Sequence, residues 1–481
     1  MNARPVKLLP LALALAVAPM LAHGEDLFDA YQAALANDPT LAQQVAQSNS
    51  TSEGVPLARA ELLPQLSAGL TFQQSNNNGN SDVITDASGQ PQSSPDWGHI
   101  RSRDLSVNLS QTVLDFSKYA RLSAAHAQAD SADAQYRAAL QDLIVRVASA
   151  YFDVLTAKDQ VINSEAYEKQ LARQLDQAQA LFDNGLSPIT DMQDAKAQHD
   201  AATAQLISAR NTLDDAREAL SEITGQPTQD LKVLSENLPM SPPSPNALST
   251  WVDQARNGNP NLLAQQYNVD AADHTVTAAR DARLPTVNAH VSYGKGASWY
   301  QDGPYRSRPS GTTIGLTLDV PIFSGGSIRA NVKRSIYDRD AAKAGLTKAE
   351  RQIVRDTRNH FRSVIAGISE VEASHQAVIS STSALDATQA GFQVGTRTIV
   401  DVLLAQQNLT QARQQYSQSR HQFILNKLLL EQDAGGLDVD DLKAINALLV
   451  DAGSAEAPSL PEPSNPEDAT PPAGTPPASG S

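Results

Sequence analysis

The sequence predicts an α+β membrane protein in which one structural unit, with four long or short helices and two β-strands, occurs twice. Three observations predict this fold class. Short motifs recur at a constant offset, and two segments of 68 residues lack proline. Four further segments alternate apolar and polar residues over a length that suits a membrane-spanning strand.

The composition excludes several classes of protein. The chain has 481 residues, no cysteine, and 53 acidic against 37 basic side chains, for a net charge of −16. Without cysteine there can be no disulfide, no thiolate metal site and no lipid-acylated N-terminus. The acid excess argues against nucleic acid as a partner.

Residues 1–24 have the features of a signal peptide. Two basic residues precede an apolar run at 8–21, and small residues stand at Ala22 and Gly24, before Glu25. A membrane anchor is the alternative, but the run is short for a span and contains two prolines. No later segment has the roughly 20 apolar residues that a membrane helix needs. We therefore expect an exported chain without a membrane-spanning helix.

An internal duplication organises the rest of the chain. Pro39 matches Pro260 and Pro64 matches Pro285, both at an offset of 221 residues. Farther along, Asp191 matches Asp401 at an offset of 210. The difference fits a length change in a surface loop at 75–95, which is rich in Ser, Asn, Gln and Gly. The predicted units are a first repeat at 25–235, a second repeat at 245–440, and a C-terminal segment at 441–481 with a disordered, proline-rich tail.

Each repeat contains a predicted long helical hairpin, at 117–225 and 327–434. A helix of 68 residues would be about 100 Å long, which requires support from neighbouring helices. Apolar residues recur at spacings of three and four, as a left-handed coiled-coil seam requires. A soluble helical bundle would show the same pattern. The seam residues are Ile144, Val147, Tyr151, Val154 and Val161, and then Val354, Thr357, Phe361, Val364, Ile368 and Val371.

Four strands are predicted at about 65–75, 103–113, 286–295 and 311–321. In each, apolar and polar residues alternate, so that one face suits lipid and the other suits water. Soluble hairpins packed on helices would alternate in the same way, but export and long polar loops favour a membrane barrel. Aromatic residues near the strand ends could form a girdle at the membrane surface: Trp97, Trp299, Tyr300 and Tyr305.

Four strands cannot close a barrel, and an open sheet edge in lipid would leave backbone groups unpaired. Membrane-embedded strands therefore require several chains to share one barrel. Three chains would supply twelve strands and twelve long helices. A helical seam that continues from such a barrel would form a hollow cylinder.

Over nearly its whole mature length, the chain resembles the TolC family of outer-membrane ducts for efflux and type I secretion. The most specific segments are Phe182-Asp183-Asn184-Gly185-Leu186-Ser187-Pro188-Ile189-Thr190-Asp191 and Val394-Gly395-Thr396-Arg397-Thr398-Ile399-Val400-Asp401-Val402-Leu403. Supporting matches are Leu62-Leu63-Pro64-Gln65-Leu66 and Ala150-Tyr151-Phe152-Asp153-Val154-Leu155.

This resemblance implies a homotrimer with one shared 12-stranded β-barrel, continued by a 12-helix periplasmic α-barrel. It places the protein in the Gram-negative outer membrane with a large periplasmic portion. It further implies partners, namely a periplasmic adaptor protein and an inner-membrane transporter of the RND or ABC type. The links 226–247 and 435–452 would form an equatorial collar. A periplasmic coiled-coil adaptor or a filament protein is the alternative, but neither accounts for two hairpins with two strand pairs.

The hairpin tips hold the predicted site. From the residues alone, Gly185 and Gly395 suit the ends of long helices, and Asp191 and Asp401 suit helix starts, where simple capping and solvation would explain them. The resemblance implies more. In the implied trimer, the three copies of Asp401 form an acidic ring at the channel entrance. Leu404 stands at the second constriction, where the family has another aspartate. Three such carboxylates would repel one another, raise proton affinity and attract cations.

The same resemblance assigns two further sets of tip residues. The latch between the hairpins would be formed by Thr190, Asp191, Phe392 and Arg397, with Phe392 in place of a tyrosine. The adaptor would dock on Gly185, Leu186, Gly395 and Thr396.

No sequence motif supports an enzymatic function. The nine histidines show no metal-ligand spacing such as HExxH, and no Gly-x-Ser-x-Gly motif occurs. Gly294-Lys295-Gly296 lacks a third glycine at dinucleotide-binding spacing. We expect no catalytic residue, no metal and no cofactor.

Overall fold

The computed structural model describes residues 25–76, 83–85, 88–93, 99–228, 230–300 and 306–451. The predicted signal peptide and nearly all of the proline-rich tail lie outside these ranges, as do Trp97 and Tyr305 of the predicted girdle. Within the described ranges, no helix is both long and apolar enough to cross a lipid bilayer.

Helices and strands follow one another in two similar series. The helices are α1 (Leu27–Asn37), α2 (Pro39–Ser52), α3 (Gly54–Ala60), α4 (Phe116–Asp183), α5 (Ile189–Thr224), α6 (Leu248–Gly258), α7 (Pro260–Asp281), α8 (Ser327–Gln393), α9 (Ile399–Ala434) and α10 (Val439–Asn446). The strands are β1 (Gln65–Asn76), β2 (Val83–Thr85), β3 (Pro91–Ser93), β4 (His99–Leu114), β5 (Val233–Leu234), β6 (Thr286–Tyr300), β7 (Arg306–Ser307), β8 (Ser310–Asp319) and β9 (Leu449–Val450).

The first repeat has one helix break that the predicted unit of four helices lacks. Where the second repeat has the single helix α7, the first has α2 and α3, which meet at Glu53. Pro56 is the physical reason, because it has no N–H to donate to the carbonyl of Ser52 in the preceding turn. Thr277 stands at the matching position of α7 and donates normally.

The sheet joins the two repeats edge to edge. Its antiparallel strand order is β1-β4-β6-β8, and β7 pairs with the far end of β6. The β4–β6 pair connects the repeats over the whole length of both strands, with one bulge near Thr112. In the described chain, β1 and β8 each have one strand neighbour, so both are open edges.

Apolar side chains cover one face of this sheet. Leu66 lies opposite Leu109 and Leu70 opposite Leu105, and on the other edge Ile314 lies opposite Val291. Since directly paired residues share a face, these side chains form one apolar surface. Leu316 in this surface is 72% exposed in the single chain. On the edge strands β1 and β8, the chain's own described residues leave this surface exposed.

The two long hairpins, α4–α5 and α8–α9, extend from the sheet. Their first arms have 68 and 67 residues, about 100 Å each. The predicted apolar seam is buried at Ile144, Val147, Val364 and Val371, and half-buried at Val161, Phe361 and Ile368. The largest core cluster lies midway along the hairpins, around Tyr151, Phe152 and Phe423.

The two interhelical links meet at this core. β5, in the first link, pairs with β9 near the chain's end. The Tyr151 hydroxyl of α4 lies 2.9 Å from the carbonyl oxygen of Lys232 and 3.1 Å from that of Glu25. Burial raises the pKa of this tyrosine, so it stays a neutral donor that ties α4 to the link. The two links thus pack together at the middle of the hairpins.

Candidate functional site at the hairpin tips

Each hairpin reverses direction at a glycine with a left-handed backbone. Gly185 has φ +69° and Gly395 has φ +76°. At the first turn, Gly185 N donates to Phe182 O at 2.9 Å and Leu186 N donates to Leu181 O at 2.9 Å. These bonds satisfy the last carbonyls of α4, and only glycine adopts this φ without strain.

The second turn closes in a related way. Thr396 N donates to Gly391 O at 2.8 Å, and the Thr396 hydroxyl donates to the same carbonyl at 3.0 Å. The four predicted docking residues Gly185, Leu186, Gly395 and Thr396 are all exposed in the single chain. Neither glycine has other atoms within 4 Å of where a Cβ would stand. Both turns therefore offer bare backbone to a partner.

Asp401 belongs to a capping box at the start of α9. Its carboxylate accepts from Thr398 N at 2.9 Å and from the Thr398 hydroxyl at 2.9 Å. Asp401 N donates in return to the Thr398 hydroxyl at 3.3 Å. The backbone bond from Thr398, its hydroxyl bond and the nearby Arg397 charge hold the pKa of Asp401 below its usual value. Within one chain this carboxylate is therefore ionised at neutral pH.

Asp401 and Leu404 lie on the same side of α9. They are one helical turn apart, and Leu404 is 57% exposed. Between them, Val402 and Leu403 are buried against other helices. The side of α9 that carries Asp401 and Leu404 thus faces away from the chain's own packing.

The predicted latch residues lie close to the tips, but within one chain no hydrogen bond or ion pair is described between Thr190 or Asp191 of the first hairpin and Arg397 of the second. Asp191 accepts from the Ser187 hydroxyl at 2.9 Å and from the Thr190 hydroxyl at 3.4 Å. Arg397 is exposed, and its side chain crosses Gly391, where a Cβ would stand 2.7 Å from the Arg397 Cγ. No ion pair of Arg397 is formed within the described residues, so its guanidinium is available to a partner.

Phe392 contributes an apolar ring at the position where the resemblance places a tyrosine with its hydroxyl. Its ring packs against two clusters near the tips. One cluster joins the first hairpin to α9, and the other joins α8 to α9. Their buried members are Tyr167, Leu171, Ala202, Ile399 and Leu403 in the first, and Leu385, Val402 and Leu409 in the second.

A polar seam between α4 and α9 lies above the tips and was not predicted from the sequence. Asp159 accepts a short hydrogen bond from the Ser417 hydroxyl, and Thr156 Oγ1 lies 2.7 Å from His421 Nδ1. Arg420 donates to the carbonyl of Leu234 at 3.2 Å, which joins α9 to the first interhelical link. We call these residues, Thr156, Asp159, Ser417, Arg420 and His421, the hairpin seam. No sequence signal could have paired Asp159 with Ser417, because 258 positions separate them.

Protonation at the hairpin seam follows from burial. Burial, assisted by the Arg420 charge, lowers the pKa of His421 to about 3. Burial also raises the pKa of Asp159, although the Ser417 hydroxyl and the Arg420 and Lys158 charges oppose this. Thr156 donates its hydroxyl hydrogen to Phe152 O at 2.8 Å, so neutral His421 donates from Nδ1 to the Thr156 oxygen.

This arrangement predicts a loss of stability in mild acid. Above the unfolded-state pKa of 6.5, His421 is neutral in both states and its titration has no effect. As the pH falls from there towards 3, only the unfolded chain binds the proton. The free energy of unfolding then drops by about 1.4 kcal/mol per pH unit in each subunit. We expect His421→Asn, which keeps a donor but does not titrate, to flatten thermal stability between pH 6.5 and 4.5.

His126→Asn is the matched control, because His126 is an exposed histidine on α4. It should leave the pH dependence of the Tm as in the wild type. If His421→Asn follows the wild-type curve as well, His421 is not buried in the neutral form. The comparison cancels the opposite contribution of Asp159, since all three proteins contain it.

Within the described part of the chain, no three His, Asp or Glu side chains are grouped so as to hold a metal ion. The residues at the tips are suited to capping, charge and packing. The ionised Asp401 carboxylate can attract cations.

Comparison with known proteins agrees with this geometry. The model of the outer membrane efflux protein family matches residues 30–226 and 251–436. Outer membrane protein TolC of Escherichia coli K12 is 34% identical over 456 residues, which cover 92% of this chain and 89% of that protein. The alkaline protease secretion protein AprF of Pseudomonas aeruginosa is 29% identical over 429 residues, covering 88% and 87%.

Solved structures show the same fold. The crystal structure of the Campylobacter jejuni CmeC outer membrane channel superposes with a TM-score of 0.71 at 15% identity. The match covers 89% of this chain and 90% of CmeC. The two matched segments of the family model contain all four arms of the two hairpins.

Proposed function

The chain belongs to the outer membrane efflux protein family, and on that basis we propose that three copies assemble into one continuous duct. The protein is an outer-membrane exit duct for efflux and type I secretion, with a large periplasmic part. The family is one of channels and not of enzymes.

The open sheet is the observation that supports the proposed trimer most directly. β1 and β8 each have an unpaired edge, and one sheet face is apolar. In lipid, unpaired backbone groups are too costly to persist, so the edges must pair with other copies. Three copies of the four-strand sheet give a closed barrel of twelve strands, with twelve long helices below it.

Exposed apolar side chains on the long helices support the same assembly. Tyr337 and Ile379 of α8 are 63% and 46% exposed, and Ile207 of α5 is 64% exposed. A hollow wall of helices would cover these side chains with neighbouring subunits, at roughly 25 cal/mol for each Å² buried.

At the entrance, three Asp401 carboxylates would form one acidic ring, followed by an apolar ring of three Leu404 side chains. Support comes from the side of α9 that carries both residues, where Leu404 is 57% exposed in the single chain. The capping box keeps the carboxylates ionised, and three nearby negative charges attract cations. One ring should hold a blocking cation less tightly than two.

Arg397 would close a latch between the hairpins, reaching Asp191 or the backbone beside it. We expect Arg397→Ser to raise the single-channel conductance at least about threefold. Each exposed pair contributes about 0–1 kcal/mol, and threefold symmetry multiplies the effect. Planar-bilayer recording of the purified protein measures the conductance directly.

Lys196→Ser is the matched control, since it removes an exposed cation from α5 near the other tip. Its conductance should equal that of the wild type. Equal conductance of Arg397→Ser and Lys196→Ser would count against a latch at Arg397.

The tips would receive a periplasmic adaptor, which in turn holds an inner-membrane pump of the RND or ABC type. Bare backbone at Gly185 and Gly395 supports this, because a partner's helix tip can approach it closely. The exposed apolar side chain of Leu186, at 76% exposure, would pack against the partner.

One experiment tests the duct and its partners together. Cells lacking the chain should accumulate a fluorescent efflux substrate and regain export when the chain is restored. A photocrosslinker at Thr396 should capture an adaptor, whereas one at exposed Lys333 of α8 should not. Restored cells that still fail to export, with the protein present in the outer membrane, would contradict the proposed duct.

A further inference from the structure

The outward face of the sheet carries a group of cations at its far end. Strands β1, β4, β6, β7 and β8 contain four Lys and Arg residues in all: Arg101, Arg103, Lys295 and Arg306. In a chain with a net charge of −16, this is a local reversal of sign. We call these four residues the cationic patch.

Strand register places the whole patch on the apolar face. Lys295 pairs with Leu105, and Arg101 pairs with Trp299, which in turn pairs with Arg306. Arg103 lies two residues before Leu105 on β4, so its side chain is on the same face. Because cross-strand partners point to the same side, the patch shares its face with Leu105 and the apolar band below it.

No acid neutralises the patch within the described residues. The nearest acid in the strands, Asp104, points to the opposite face, where its carboxylate lies over Gly296, 2.6 Å from where a Cβ would stand. Arg101 Nε donates to the Gln74 amide oxygen at 3.1 Å, and the Arg103 guanidinium lies 6.0 Å from the Trp299 ring centre. Neutral neighbours therefore orient the cations without cancelling their charge.

The patch lies at the end of the sheet remote from the helices. β4 leads into α4 at Phe116, fifteen positions beyond Arg101. The apolar band on β4 and β8 lies between the patch and the helices, and includes Leu109, Leu316 and Leu318. Since the helices are periplasmic, the far end of the band meets the outer leaflet of the outer membrane.

We propose that the cationic patch binds the phosphate groups of the phosphorylated saccharolipid that forms the outer leaflet. This inference rests on the proposed barrel, because only a barrel would hold the band in lipid. Arg and Lys beside an anionic lipid surface gain electrostatic attraction, and Arg can bind phosphate through two N–H groups. Trp299 lies at the same level, where indole rings favour the boundary between lipid and water.

In the trimer the patch would occur three times around the barrel. The saccharolipid headgroups are normally held together by divalent cations, so protein cations at this height would take the place of metal ions at the barrel's rim. The lipid acyl chains would then lie against Leu105 and the apolar band, so that one lipid contacts both regions.

The test is retention of lipid A by purified full-length protein. The variant replaces all four cations of the patch by glutamine (R101Q, R103Q, K295Q and R306Q). A matched control replaces four exposed cations of the helices by glutamine (K169Q, R173Q, K196Q and K333Q). Each protein is mixed with vesicles of phosphatidylethanolamine containing bisphosphorylated lipid A, and bound lipid is counted by native mass spectrometry.

We expect the patch variant to bind lipid A about tenfold less tightly than the wild type, with the control unchanged. Equal binding by the patch variant and the wild type would overturn the inference. Equal binding of dephosphorylated lipid A, or of phosphatidylglycerol, by the wild type would overturn it too. If the proposed barrel itself is wrong, the wild-type protein would be absent from the outer-membrane fraction. That result is distinguishable from a loss of lipid A binding.

Discussion

Leu316→Arg is expected to remove the protein from the outer membrane as a folded trimer. Leu316 lies in the middle of the apolar run of β8 and points to the proposed lipid face. An Arg at the bilayer midplane of a barrel costs about 2–4 kcal/mol, and a trimer would contain three. Cell fractionation followed by gel migration without boiling should show at least about a tenfold loss of trimer.

Thr317→Arg, one residue along the same strand, is the matched control. Thr317 pairs with Asn288 on the polar face, which would line the lumen. The same charge there should leave the trimer intact and lower the cation preference of the channel. If both variants are lost equally, or if neither is lost, the assignment of the two sheet faces to lipid and lumen is wrong.

Asp401→Asn is expected to remove most of the channel's sensitivity to blocking by multivalent cations. The substitution keeps an oxygen that can accept from Thr398 N, so the cap of α9 survives. In the proposed trimer, the substitution removes three negative charges from the entrance. The concentration of a trivalent cation that halves the conductance in a planar bilayer should rise at least about tenfold.

Asp194→Asn is the control, because Asp194 is an exposed acid of α5 near the other tip and has no part in the proposed latch. It should keep the wild-type sensitivity. Leu404→Asp offers the converse change, since it adds a second acidic ring on the same side of α9, and should lower the blocking concentration. An unchanged response of Asp401→Asn would contradict the acidic ring.

Local pattern was enough to predict most of the elements. The hairpin predicted at 117–225 occupies Phe116–Asp183 and Ile189–Thr224, and that predicted at 327–434 occupies Ser327–Gln393 and Ile399–Ala434. The reason is that long runs without proline, ended by glycine, leave the backbone few alternatives. Strand ends were less certain, and β4 and β6 run four and five residues beyond the predicted limits, because pairing with each other extends them.

At the tips, the glycine turns and the Asp401 cap could be expected from neighbouring residues. Their bonds span at most a few positions, so short sequence contains the information. The hairpin seam could not be expected in this way. Thr156 meets His421 across 265 positions, and the polar character of each residue alone also fits a solvated surface.

By itself, the sequence determined the duplication, the helical hairpins, the alternating strands and the turns at their tips, because periodicity and backbone preferences act locally. Only the tertiary structure decided which strands pair and in what register. That choice places Arg101, Arg103, Lys295 and Arg306 on one face and Asp104 on the other. The physical reason is the strand's period of two, since a register shift of one residue would send every side chain to the opposite side.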